Sequence, residues 1–521
     1  MTKQPNRLWI VVLLLGWTFD ILFWGRSVGL NLAIFMTLCL LAGFFLLSAE
    51  GLYPAPKSLW LLIPYVFFVV ITFLRQEPLT IFLAYTFMFF SIGLFSVTYL
   101  GGRWFQYSLL VYLNKFYQLV LSMITRPWNF FVQGQKEQTE HGETKKGFPI
   151  RSVLRGLLIA FPVVALFASL LASADLVFDQ ELTEFLGFFS FGKVIEYISR
   201  LVIILLCAYL LAGVFLQAAT QSKDEKLLGE DEPVVKRFLG FTESAIVLGS
   251  VSFLFLLFVI VQFRYFFGGE VNIGVEGYTY SQYARSGFNE LVMVAFFSLL
   301  MIIGLSNVTR REKAMQRRVY SGLCVAIVAL VMVILVSSYQ RLALAIDWHG
   351  FSRLRLYPRV FLIWIGLLLV AVVVLETLQC ERYFAFAAVL ASLGFATSLI
   401  LLNVDASIVR YNVYRATQGR HFNVPHLASL SPDAVPALAD EFLYSSLPDS
   451  TREGVGAALL CYLLSYSNGS TDDWLSYNLS VMQADQLLKE VQAQLEGYRV
   501  NDRGWPVRVL TPNKVWYPCQ E

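Results

Sequence analysis

Charge is what this sequence has least of. Only 15% of the 521 residues are Asp, Glu, Lys or Arg, where a soluble domain carries roughly 25%. Lysine and arginine nearly balance the acids, for a net charge of +3. No basic block is present, so a nucleic-acid partner is not expected. Histidine is scarce at four residues, and the six cysteines are scattered without a C-x-x-C pair, which excludes the usual zinc spacings. G-x-S-x-G, H-E-x-x-H and kinase signatures are all missing. The glycine-rich stretch GGEVNIGVEG (268–277) lacks both G-x-G-x-x-G spacing and the Walker lysine, and reads as an outer turn. No cofactor, metal or catalytic residue is expected on these grounds.

What is present is apolar sequence in long runs: 57% of residues are hydrophobic. A bilayer core about 30 Å thick needs about 20 apolar residues of helix. The runs are continuous rather than alternating, which selects helices over a closed barrel. The expected fold is all-α: a helical polytopic membrane bundle of about eleven transmembrane helices with a small, mostly helical C-terminal soluble domain. The spans are placed at 8–24, 28–48, 59–74, 78–100, 152–174, 194–219, 240–263, 287–305, 319–339, 358–378 and 383–403. The first has Lys3 and Arg7 before it and no small-x-small cleavage pattern after it, so it reads as an uncleaved span. Gly25 and Gly29 separate the first two spans, Pro78 opens the fourth, and Pro358 reads as a first helical residue. Gly249, Gly304 and Gly366 read as close-packing positions.

Residues 104–132 are long enough to cross, but Asn114, Gln118, Ser122 and Thr125 fall on one helical face. That polar stripe favours a helix lying in the interface. The domain organisation expected is then a four-span region (1–103), an interfacial helix and cytoplasmic loop (104–151), a seven-span core (152–403) and an extracytoplasmic domain (404–521). With this count the basic loops 133–151, 220–237 and 309–318 join Lys3 and Arg7 on the cytoplasmic side, as the positive-inside rule asks. In the C-terminal domain Ser431-Pro432-Asp433 reads as a capped helix start. Residues 451–465 and 471–497 read as helical, and GWPVRVLTPNKVWYP as a hairpin turning at Thr511-Pro512-Asn513. Cys461, inside ALLCYLL, reads as a buried apolar residue. A disulfide to Cys519 is the alternative if the domain lies outside the cytoplasm.

Three stretches carry a resemblance: TYSQYARSGFNEL (279–291), SSYQRLALAIDWHGFSRLRLY (337–357) and NVDASIVRYNVYR (403–415). The chain resembles a bacterial family of polytopic membrane proteins catalogued as a domain of unknown function. The matching positions are Tyr283, Ala284, Arg285, Gly287 and Phe288; then Arg341, Gly350, Arg353, Arg355 and Tyr357; then Asn403, Ala406, Arg410 and Asn412, followed by LSPDAVPAL. The likeness implies a bacterial inner-membrane location and no particular reaction.

The basic residues of 340–359 and 264–286 are all arginine, and both segments face outward in this topology. The plain reading is that they snorkel to lipid phosphates or pair with acids such as Asp175, Asp179, Glu181 and Glu184. The sharper reading is an anion or lipid-headgroup site, because a guanidinium fork binds phosphate or carboxylate bidentately. Its residues are Arg285, Arg341, Arg353 and Arg355, with Tyr283 and Tyr357 as walls. Asp347 and His349 do not share a helix face and are not expected to act together. The leading functional expectation is a non-enzymatic envelope protein that binds an envelope partner protein or anionic membrane lipid. The alternatives are a transporter for a small or lipidic anion and a membrane enzyme acting on a phosphate-linked lipid.

Overall fold

The computed structural model describes residues 5–140, 191–223, 238–266, 288–420, 422–466, 473–501 and 506–520, with isolated positions elsewhere. Fifteen principal helices are numbered in chain order. They are α1 (Pro5–Phe23), α2 (Leu30–Ala49), α3 (Leu62–Leu74), α4 (Pro78–Val97), α5 (Leu109–Glu140), α6 (Phe191–Thr220), α7 (Phe241–Phe266), α8 (Phe288–Val308), α9 (Ala314–His349) and α10 (Arg353–Thr377). The remainder are α11 (Phe384–Leu402), α12 (Val404–Thr417), α13 (Val435–Tyr444), α14 (Asp449–Tyr466) and α15 (Leu479–Gln492). Among the described residues, ten helices are long and apolar enough to cross a membrane. They coincide with ten of the eleven expected spans; the other, 152–174, lies outside the described residues. The expected all-α polytopic membrane fold is what the chain adopts, and α5 is not one of the ten.

The chain forms two compact units. The first comprises Met1–Ser27, Ile34–Pro54 and Phe116–Lys223. Here α1 and α6 lie so close that a Cβ on Gly16 would stand 2.4 Å from the Ile204 carbonyl oxygen. Asp20, buried on α1, is gripped by Arg200 of α6, whose Nε lies 3.1 and 3.0 Å from the two carboxylate oxygens. A charge inside a span needs such a partner. The α5 helix meets α6 through Gly213, which faces the Met123 backbone, and through the Tyr209 hydroxyl, which donates to the Ile124 carbonyl. It also reaches Trp9 in α1 through Phe130, with ring centroids 6.5 Å apart. These contacts gather near one end of α1 and α6. The polar stripe expected on α5 is not uniformly wet: Ser122 is buried, while Leu113, Tyr117, Ile124 and Trp128 are exposed.

The second unit comprises Val28–Ala33, Ala55–Lys115 and Asp224–Glu521. Its inter-helix segments sort onto two opposite faces. On one, Ala55 N–H donates to the Tyr99 carbonyl at 2.7 Å and Trp104 Nε1 to the Lys57 carbonyl at 2.9 Å. Trp104 and Phe105 meet Phe386 and Tyr383, and Arg310 N–H donates to the Leu239 carbonyl at 2.9 Å. Arg311 is buried there against Glu376 and Glu381. Burial alone would lower the pKa of Arg311, but the charges of Glu381 and Glu376 outweigh it and hold the guanidinium above its ordinary value. This is the basal face. The opposite, apical face carries segments 75–77, 350–352 and 403–406 together with the C-terminal region.

The C-terminal region 404–521 is therefore not a separate unit. Leu356 and Val360 of α10 share one core with Val409, Leu438, Leu459, Val491 and Val509. A three-stranded antiparallel sheet closes it: β1 (Arg499–Asn501), β2 (Arg508–Leu510) and β3 (Trp516–Pro518), in the order β1-β2-β3. The β2–β3 hairpin is the one the sequence suggests, with Val509 facing Tyr517. Cys461 and Cys519 form a disulfide, so Cys461 is not simply an apolar core residue.

Three local expectations are corrected. Pro358 does not open its helix: α10 begins at Arg353 and carries Pro358 within it, so the Leu354 carbonyl lacks an i+4 donor. Ser431 precedes a helical turn, but its hydroxyl donates 2.6 Å to Asp405 instead of accepting from its own helix. Gly249 and Gly304 face open space, with no atom within 4 Å of where a Cβ would stand, whereas a Cβ on Gly394 would stand 2.0 Å from the Trp364 ring. Among the described glycines within the spans, Gly16, Gly213 and Gly394 leave no room for a Cβ, while Gly366 meets Met332 at an ordinary 3.5 Å.

Candidate functional site

The apical face of the second unit holds a buried polar network that joins span ends to the C-terminal region. Three carboxylates anchor it: Glu77, Asp405 and Asp433, each no more than 3% exposed. Burying a carboxylate is costly unless hydrogen bonds replace its water. Each of these sits at a helix start, where free N–H groups and the helix dipole favour negative charge.

Glu77 precedes Pro78 and caps α4, accepting from Leu79 N at 3.1 Å and Thr80 N at 2.7 Å. Proline fits as the first helical residue because its missing N–H would have no intrahelical partner. The same carboxylate accepts the Tyr357 hydroxyl of α10. Asp433 reaches across to this loop and accepts Gln76 N at 3.0 Å and Glu77 N at 2.8 Å. Its other oxygen accepts the Ser480 hydroxyl from the start of α15. Asp405, in the first turn of α12, takes the fork of Arg353: Nε at 2.9 Å to one oxygen and Nη2 at 2.5 Å to the other. Ser431 N at 2.8 Å and Oγ at 2.6 Å complete its shell. Arg353 Nε also stands 4.0 Å from Glu77, so one guanidinium lies between two carboxylates.

A second set of bonds fixes the end of α9. Gly350 terminates it with φ 82°, and a Cβ there would stand 2.3 Å from Asn412 Oδ1. Only glycine suits both demands. Asn412 accepts from Phe351 N and donates to Phe351 O, both at 2.9 Å, so its amide pairs with the backbone on both sides. Arg415 donates to the Asp347 and Trp348 carbonyls at 2.6 and 3.0 Å, a cation at a helix C-terminus. The Tyr411 hydroxyl donates to Asp347 at 3.1 Å; burial, then this carboxylate, pushes its pKa up.

The structure separates the site residues expected from the sequence. Arg353 and Tyr357 enter the carboxylate network. Arg355 donates to the Gly350 carbonyl at 2.9 Å. Arg341 is half-buried on α9. Arg285 and Tyr283 lie outside the described residues, as do Asp175, Asp179, Glu181 and Glu184. Asp347 and His349 do not meet: the His349 ring faces the Ala345 carbonyl. The sequence reading missed the carboxylates that hold the arginine fork. Asp405 stands within the stretch 403–415, and Glu77 stands in the cap position before a proline. Both signals are local and readable. The stretches 337–357 and 403–415, two of the three that carry the family resemblance, meet here. Among the described residues no group of His, Cys, Asp and Glu is arranged to hold a metal ion.

The model of a domain of unknown function, DUF4153, matches residues 62–441, from the start of α3 to α13. The chain belongs to that family. No curated protein and no solved structure matches it significantly.

Proposed function

We propose that this member of the family is a bacterial inner-membrane binding protein whose amino end is cytoplasmic and whose apical face is extracytoplasmic. It engages an envelope partner protein or anionic lipid and performs no covalent chemistry. The observation that carries this reading is the apical network. The acids and arginines a polar site would use are bonded to one another and clamp the C-terminal region to the ends of α3, α4 and α10. The result is a rigid platform suited to recognition. The Cys461–Cys519 disulfide supports an oxidising compartment for that platform. The basal face presents Arg310, Lys313, Arg317 and Arg318 around the short α8–α9 connection, which supports a cytoplasmic position for it.

A second reading is an external anion at the Arg353–Arg355 rim, favoured by the 24% exposure of the Arg353 side chain. Such an anion would compete with Asp405 for one fork.

The test is native mass spectrometry of the full chain released from detergent, combined with in-cell photocrosslinking from Tyr444 and Trp474, both exposed on the C-terminal region. Retained phosphatidylglycerol in preference to phosphatidylcholine, or discrete crosslinked species, supports binding. No lipid preference together with no discrete adduct rejects it. Arg353→Lys with Arg355→Lys separates the second reading, since lysine keeps the charge and loses the fork. Unchanged anionic-lipid retention in that variant excludes it.

A further inference from the structure

The helices α7 and α9 run side by side in the same direction. Both start at the basal face: Ser244 of α7 hydrogen-bonds Thr309 at 2.7 Å, just before α9 begins. Leu248 shares a core with Tyr320, Cys324 and Ile327, and further along Val259 packs with Ile334 and Leu291. One turn beyond that layer the seam turns polar. Gln262 stands three residues after Val259, and Ser337 three residues after Ile334, so each continues the face that meets its neighbour. Both are buried, Gln262 at 7% and Ser337 at 6% exposure. Among the described residues, neither amide atom of Gln262 nor the hydroxyl of Ser337 has a hydrogen-bond partner. Buried polar side chains are almost always bonded, and an unmade bond costs about 1–3 kcal/mol. Two such residues on facing helices leave donors and acceptors that a ligand can satisfy.

Their depth and chemistry identify the class. Gln262 stands in the last two turns of α7, which is apolar from Phe241 apart from Glu243 and a few small polar residues; at 1.5 Å per residue it lies about 32 Å from Phe241, past a hydrocarbon core of about 30 Å and level with headgroups. Beside it the outward surfaces are apolar, with Leu257 and Val261 on α7 and Val333 and Val336 on α9 exposed. On α9 the outward stripe becomes polar at Gln340, and Arg341 places positive charge four residues after Ser337, on the same helix face. An amide offers two donors and an acceptor, and a serine hydroxyl offers one donor and two acceptors. A complementary ligand therefore presents anionic acceptor oxygens and hydroxyl donors together.

We propose that the α7–α9 seam binds an anionic phosphodiester bearing a hydroxylated headgroup, with phosphatidylglycerol as its membrane form. The phosphate oxygens accept from the Gln262 amide and Ser337 under the charge of Arg341. A headgroup hydroxyl donates to the Gln262 carbonyl. This rests on the lipid arm of the function proposed above, but uses neither Arg353 nor Tyr357.

The test uses the full chain in detergent and the variants Gln262→Leu, Ser337→Ala and their combination. Leucine removes the unpartnered amide at similar size, so the lipid-free variant folds and melts no lower than the wild type. Adding phosphatidylglycerol raises the wild-type melting temperature more than phosphatidylcholine does. The double variant loses that increment and binds phosphatidylglycerol at least about tenfold more weakly, the loss of one or more hydrogen bonds to a charged group. Soluble glycerol 1-phosphate is tested in parallel. Stabilisation of the wild type and not the variant by that compound supports the site and assigns it a water-soluble phosphodiester or monoester instead of a lipid. If the wild type prefers phosphatidylglycerol and the double variant keeps the full preference, the seam is not the site, while lipid binding by the protein stands. If neither probe stabilises the wild type, the groups are served by water alone and the proposal falls.

Discussion

Asp405→Asn is the sharpest perturbation of the apical clamp. The change adds no bulk and removes one charge. Asp405 is fully buried and receives four hydrogen bonds, two from Arg353 and two from Ser431. An asparagine has one acceptor oxygen. Placed toward Ser431, it turns its NH2 against Arg353 Nε; placed toward Arg353 Nε, it turns the NH2 against Arg353 Nη2 and both Ser431 donors. Every rotamer sets donor against donor and strands a guanidinium whose side chain is only 24% exposed. Breaking one side of a buried pair costs about 3–5 kcal/mol. At about 2–4 °C per kcal/mol, the apparent melting temperature falls by roughly 6–20 °C.

The assay is a melt in detergent read by a thiol-reactive fluorophore, since Cys324 is fully buried in the span core. Asp485→Asn is the control. It removes an exposed i,i+4 partner of Lys489, a pair worth about 0.3–0.5 kcal/mol. Arg353→Gln in the Asp405→Asn background costs much less than the sum of the single changes, because the two share one interaction. An Asp405→Asn melt within about 2 °C of the Asp485→Asn melt, on the order of the control's own effect, refutes the clamp.

Two further outcomes are expected. Removing the disulfide with Cys461→Ala and Cys519→Ala frees a 58-residue separation. It costs about 4 kcal/mol by chain entropy, visible as a lower melting temperature that reductant does not change further; an unchanged melt excludes a structural role. Burial, then the charge of Glu453, raises the pKa of Tyr498. The folded chain keeps that proton where the unfolded chain releases it, so this stability is complete below about pH 10 and declines as pH rises toward the folded value. Tyr498→Phe shows a shallower loss between about pH 10 and 12 in a denaturant titration; curves parallel to the wild type contradict the burial argument.

Spans were legible because their signal is summed over about 20 residues and needs no partner. Pro78, which opens the fourth span, was legible for a similar reason: local backbone chemistry marks a helix end wherever it occurs. The clamp was not legible as such. The pairing of Arg353 with Asp405 spans 52 residues, and that of Gln76 with Asp433 spans 357. Nothing local says which acid will meet which base. A guanidinium fork suits a carboxylate or a phosphate, and in the structure the fork of Arg353 holds Asp405 of the same chain. Ser431 illustrates the same limit. Its sequence context favours a cap, but a buried carboxylate nearby competes for the hydroxyl and wins. Gly249 and Gly304 misled because a small residue in a span signals close approach only when a neighbour stands opposite it.

The sorting of segments onto two faces makes a prediction about sidedness that is independent of any charge rule. Within the second unit, Arg311 meets Glu381 and Trp104 meets Phe386 on the basal face, while Asp433 meets Gln76 and Asp405 meets Arg353 on the apical face. The helices α3, α4, α9, α10 and α11 each run from one face to the other, so the connections between them alternate. Glu312 is exposed at the basal end and Lys489 is exposed on α15. In a background with Cys39, Cys207, Cys324 and Cys380 replaced, cysteine placed at 489 reacts with a membrane-impermeant maleimide on intact spheroplasts. Cysteine placed at 312 reacts only after lysis. The reverse pattern would keep the two-face architecture and overturn the extracytoplasmic assignment, leaving the disulfide in a reducing compartment. Equal labelling of both positions on intact spheroplasts would overturn the architecture itself, because no arrangement of these contacts puts residues 312 and 489 on one side of a bilayer.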